Sequence, residues 1–155
     1  MNRGCAWLSK GKHEMAMADF NEAIRLNPKL VDAFGNRGNA WLEVYEYDKA
    51  LADFDQAIAL DAGFAHGYFN RGLVYRNTAH NDKAIAEDTE AIAVKPDFAA
   101  AYNNRAFARS LSGQLEEAID DTNQAIALKS DLAEAYVTRE AAMAKGGLTR
   151  LGAAR

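Results

Sequence analysis

The 155-residue chain has one cysteine, two prolines and no apolar run approaching the roughly 20 residues of a bilayer-spanning helix. A single cysteine cannot close an internal disulfide, so Cys5 supplies neither an oxidative framework nor a cysteine-based metal site. Basic charge is also short: 18 Lys and Arg stand against 22 Asp and Glu, a net of −4. Nucleic-acid binders neutralise phosphates with a basic stripe, and this chain has none. Its first residues, Met1-Asn2-Arg3-Gly4, lack the apolar core of a signal peptide. No His-x-x-x-His pair, Gly-rich phosphate loop or nucleophile elbow occurs. These absences predict a soluble cytoplasmic protein that is not an enzyme. They also predict no cofactor, no metal and no contact with nucleic acid or membrane.

What is present is a period. Arg3, Arg37, Arg71, Arg105 and Arg139 recur every 34 residues without a slip. Phe34, Tyr68, Tyr102 and Tyr136 form an aromatic column in the same register. Ala16, Ala50, Ala84 and Ala118 form a second column, and Ala23-Ile24, Ala57-Ile58, Ala91-Ile92 and Ala125-Ile126 a third. Within one period, Phe34, Gly38, Trp41 and Tyr45 fall at helical spacing, as do Ala50, Phe54, Ala57 and Ile58. Each unit therefore reads as two helices joined by a short polar turn, and it ends near Pro28, Ala62 or Pro96. A helix pair this short cannot bury its apolar face alone, whereas stacked neighbours can. The expected fold is all-α, a single array over 1–155. Its units are a partial repeat at 1–30, repeats at 31–64, 65–98 and 99–132, a terminal helix at 133–146 and a tail at 147–155.

This pattern of Trp41 or Tyr75, Gly38 or Gly72, twin alanine columns and Pro28 or Pro96 resembles the tetratricopeptide repeat (TPR). The Asn-Arg-Gly triplets, with Ala18-Asp19-Phe20 and Ala52-Asp53-Phe54, resemble a variant common in bacterial members. Three positions depart from the pattern: Arg109 stands in place of Trp41 and Tyr75, and Asp88 and Thr122 in place of Phe20 and Phe54. The resemblance implies a right-handed superhelical solenoid of antiparallel helix pairs, with the first helices lining a concave groove.

A helix turns about 100° per residue, so Asn36, two positions from core-facing Phe34 and Gly38, points away from its partner helix. Asn70 and Asn104 occupy the same column. An amide offers donors and an acceptor that match a peptide group. The column resembles the asparagine ladder of the O-linked N-acetylglucosamine transferase, which implies backbone recognition of an extended peptide. The competing reading is that these amides bond between neighbouring helices and stiffen the stack. On this face the candidate peptide-binding residues are Asn36, Asn70, Asn104, Asn39, His66, Phe69, Leu73, Asn103 and Phe107. The family's carboxylate clamp wants Lys or Arg where His66, Ala100 and Asn104 stand, and Asp32, Glu43 and Glu134 add repulsion. An isolated anionic C-terminus is therefore disfavoured as a ligand.

The arginine column has its own counter-charges. Asp19, Asp53, Glu87 and Asp121 recur at one position per repeat, and they pair Arg37, Arg71 and Arg105 either within a repeat or between repeats. A structural ion-pair ladder follows, because a bidentate guanidinium fixes helix orientation. Function then reads as non-catalytic protein–protein interaction, with a protein or peptide partner held in the groove. Two alternatives are a partner-selecting arm of a larger enzyme or signalling protein, and a scaffold that self-associates through its exposed terminal repeats. The ladder predicts that Arg71→Ala lowers the melting temperature, with a loss of about 1.5–3 kcal/mol for a charged hydrogen-bonded pair. An unchanged thermal melt would remove the ladder from the structural account.

Overall fold

The computed structural model describes residues 2–147, so the tail expected at 147–155 lies, past Gly147, outside the described residues. In chain order the helices are α1 (Asn2–Leu8), α2 (His13–Leu26), α3 (Val31–Glu43), α4 (Tyr47–Leu60), α5 (Ala65–Asn77), α6 (Asn81–Val94), α7 (Ala99–Leu111), α8 (Leu115–Leu128) and α9 (Ala133–Lys145). Odd-numbered helices are the first of each repeat and even-numbered ones the second. Among the described residues there is no strand. The chain forms two compact units, Met1–Val74 and Tyr75–Arg155, with the boundary inside α5.

The turns carry the period as clearly as the helices do. Gly11, Tyr45, Ala79, Gly113 and Gly147 all have positive φ, at 67°, 62°, 60°, 81° and 68°. Each sits two residues past the end of a first helix (three for Gly11), and successive ones are 34 residues apart. Left-handed backbone suits glycine, so Tyr45 and Ala79 hold it at a steric cost that the flanking helix pair must offset. Second helices end differently. Asn27, Asp61, Lys95 and Lys129 leave the helix with φ between −147° and −132°. Proline follows two of them and enforces the exit; Ala62 and Ser130 show that the exit survives without it.

In unit 1 the helices of a pair approach through glycine. A Cβ added at Gly38 would lie 2.5 Å from Cε1 of Phe54, and one at Gly4 would lie 2.7 Å from Cε1 of Phe20. Both rings are fully buried. Ala50, Phe54 and Val74 form one core cluster with Trp41, Leu42, Tyr47 and Leu51 around it; Ala16, Phe20 and Ala40 form another with Trp7, Leu8 and Met17. Unit 2 solves the same packing with smaller side chains. Ala106, Ala118 and Ala142 make its cluster, with Ile119 against it, and Thr122 stands fully buried where Phe54 stands in unit 1.

Across these pairs runs a row of guanidinium contacts. Arg37 binds Asp53 through Nε at 2.8 Å and Nη2 at 2.6 Å, and its Nη1 donates to Asn21 at 2.7 Å. In unit 2, Arg105 grips Asp121 through Nε at 2.8 Å and Nη2 at 2.7 Å, and reaches Thr89 at 3.1 Å. The partners are sixteen residues after and sixteen before each arginine: the second helix of its own repeat and that of the repeat before. Arg3 to Asp19, Arg71 to Asp55 and Arg139 to Asn123 keep the same spacing. Of the two pairings left open by the sequence for Arg37, the structure has the one within the repeat; Asp19 belongs to Arg3 and Asn21 receives the contact from Arg37. Glu87 is half-buried on α6.

The glycine contact gives a sharp expectation. Gly38→Ala must displace a ring that has no free space, so it destabilises by about 1–3 kcal/mol. A thermal melt reads this directly, and adding Phe54→Leu should recover part of the loss.

Candidate functional site

Unit 1 presents Asn36 and Asn39 on α3 and His66, Phe69, Asn70 and Leu73 on α5. Asn70 donates from Nδ2 to Oδ1 of Asn39 at 2.7 Å, tying one first helix to the next. Two members of the asparagine surface thus bond each other. Asn36 is half-buried, and its amide makes no hydrogen bond among the described residues. His66 is exposed, with its ring 6.2 Å from that of Phe64. Phe69 and Leu73 are half-buried.

Unit 2 departs from the expected column. Asn104, expected on the groove face, is only 2% exposed and donates from Nδ2 to Oδ2 of Asp88 at 2.6 Å. The reason is geometric: turning away from its own partner α8 aims it at α6 of the preceding repeat, not at solvent. Asn104 is therefore withdrawn as a ligand contact. Asp88 is fully buried where Phe20 and Phe54 stand in earlier repeats. Oδ1 of Asp88 and Oδ1 of Asn104 are both buried without a hydrogen-bond partner.

Burial drives the Asp88 carboxyl up to about 8, against the Asn104 hydrogen bond and the charges of Arg76 and Arg105, with Glu87 adding to the rise. A protonated carboxyl donates as well as accepts, which suits a buried pair with two unmet oxygens. Asp88 is thus a neutral acid near pH 7, and the cations around it are not matched by its charge.

On the outer face of α7, Asn103, Phe107 and Leu111 follow one another at four-residue spacing and form a single stripe. Phe107 is 41% exposed and Leu111 50%. Oδ1 of Asn103 is buried and unpartnered. Helix α9 packs beside α7 and adds Val137, 67% exposed. Arg76 lies over the Phe107 ring, its guanidinium carbon 5.3 Å from the centroid. Lys145 is engaged with the carbonyl of Ser110 at 3.4 Å. The sequence columns miss two of these residues. Arg76 and Val137 differ from copy to copy, so periodicity gives them no signal. Arg109, a departure from the aromatic column, joins the ladder instead: its Nη1 binds Oδ2 of Asp121 at 2.6 Å.

Among the described residues no group of three or more His, Cys, Asp or Glu converges to hold a metal, and no helix is long and apolar enough to cross a membrane.

With helix pairs, register and buried columns in view, residues 1–30 and 65–98 each match a family described as tetratricopeptide repeat. The chain carries tetratricopeptide repeats. Its TPR structure is similar to that of MamA, at 22% identity and a TM-score of 0.83, over 96% of this chain and 86% of that one. YrrB, described as a TPR protein with an unusual peptide-binding site, gives 18% identity and a TM-score of 0.75 over 96% and 76% of the two chains. The second TPR domain of human RPAP3, solved with an HSP70 peptide, gives 25% identity and 0.68 over 70% and 91%. No curated protein matches the chain in sequence. The TPR fold is that of a protein–protein interaction module.

Asp88 makes stability depend on pH with a definite sign. Its folded value lies above the ordinary carboxylate range, so the contribution of Asp88 is fully present below about pH 4 and is lost as pH rises through about 8. Asp88→Asn keeps the shape and can pair reciprocally with Asn104. The variant should melt above the parent by more than about 2 °C at pH 8.5, a gap that closes toward pH 4. Parallel melting curves at both pH values would contradict a buried neutral acid.

Proposed function

We propose that this chain is a non-catalytic interaction module whose unit 2 holds an extended peptide, or an extended segment of a partner protein, on the face of α7 and α9. One observation carries the reading: Phe107 and Leu111 stand exposed one turn apart on α7, and Val137 stands exposed on α9, which packs beside it. Large apolar side chains grouped in solvent mark an interaction surface more often than singly scattered ones do. Unit 1 offers a more polar surface of its own through Asn36 and His66, with Phe69 and Leu73 as apolar neighbours. RPAP3 bound to its HSP70 peptide and YrrB with its peptide-binding site support a peptide as the class of partner.

The test is selection of a random peptide library on the 155-residue chain, followed by affinity measurement on a Phe107→Ser, Val137→Ser variant. Helicity and melting temperature should hold, since both side chains are exposed, while selected peptides bind at least about tenfold more weakly. Peptides that bind both proteins equally would move the site off this face.

A further inference from the structure

The described arginines divide into two groups. Arg3, Arg25, Arg37, Arg71, Arg105, Arg109 and Arg139 each hydrogen-bond a side-chain acceptor. Arg76 does not: among the described residues it has neither a hydrogen bond nor an ion pair, only the face of Phe107. It is half-buried, and burial pushes its guanidinium pKa down, with the charge of Asp88 pulling the other way. Asp88 offers little relief near neutrality, because burial holds its carboxyl as an acid bonded to Asn104. A partly desolvated cation thus stands beside an exposed apolar stripe without an anion to answer it.

We propose that Arg76 is the seat for an acidic side chain of the bound segment, an Asp or Glu next to an apolar residue that rests on Phe107 and Leu111. The inference rests on the α7 face being the segment-binding surface and adds the chemistry of the segment. The Phe107 ring lies against the guanidinium, and no side-chain acceptor among the described residues takes its N–H groups. That planar fork matches one carboxylate in bidentate fashion. An apolar residue laid on Phe107 and Leu111 excludes water around the pair and strengthens it. A single fork suits one side-chain carboxylate; a free C-terminus would call for several converging cations, and Lys145 is already engaged with Ser110. The proposal also accounts for a guanidinium on the face of α7 that the ladder leaves out.

The experiment uses a random peptide library displayed with its C-termini blocked, selected in parallel on the full chain and on Arg76→Gln. Selection on the parent should enrich Asp or Glu adjacent to Leu, Ile or Phe, and selection on Arg76→Gln should lose the acid while keeping the apolar residue. Replacing the acid of a selected peptide by its amide should weaken binding to the parent about tenfold and leave binding to Arg76→Gln unchanged. Arg76→Lys, which keeps the charge without the fork, should fall between the two. Thermal melts of the variants confirm folding, and the acid-to-amide change in the peptide needs no protein variant at all. Selected peptides without an acidic preference, or with the same preference on Arg76→Gln, overturn the role of Arg76 and leave peptide binding standing. Affinity that rises on freeing the C-terminus and ignores the internal acid overturns it equally. Failure to select any peptide on the parent overturns the binding reading and this inference together.

Discussion

A guanidinium held sixteen residues forward and sixteen residues back is the constraint on which the helix pairs of this chain are built. Arg37 and Arg105 show it complete: two charge-assisted bonds to the second helix of their own repeat and one bond to the second helix before it. Apolar packing drives the helices together, but packing alone leaves them free to slide and rotate. A planar fork gripping a buried carboxylate removes both freedoms. Once rotation is fixed, the alternation of faces is fixed too, and residues such as Phe107 are committed to the outside while Ala106 goes in.

The two units meet this constraint with different cores. In unit 1 glycine allows a ring to fill the space between paired helices, so much of the buried area comes from Phe20 and Phe54. In unit 2 alanine and threonine replace that arrangement, and a carboxyl–amide pair sits inside at Asp88 and Asn104. Buried polar pairs seldom stabilise as much as the apolar residues they replace. Unit 2 therefore holds a smaller apolar reserve and presents more apolar surface to solvent on α7 and α9. Stability and exposed apolar surface trade against each other within one repeat pattern.

Much of the fold is legible in the sequence because a period of 34 averages over local ambiguity. Columns at Arg37, Gly38 and Ala50 each state a helix face, and their agreement marks out two helices per copy. The surface is less legible. Rotation by 100° per residue says which way Asn104 turns from α8, but not that α6 stands in that direction, since the neighbour comes from another repeat. Arg109 looked like a lost aromatic and is an added ladder rung. Arg76 and Val137 were invisible for a simpler reason: they differ from copy to copy, and variation is what a search for repetition discards.

The sixteen-residue spacing has a consequence for how such a chain can grow. Arg37 with Asp53, and Arg105 with Asp121, each fall inside one 34-residue copy, so a duplicated segment arrives with its own counter-ion. Lengthening the gene by whole copies then adds no unbalanced charge along the ladder, and selection is left free to act on the few outward positions. Electroneutral duplication lets the array extend while each new copy acquires its own contact chemistry.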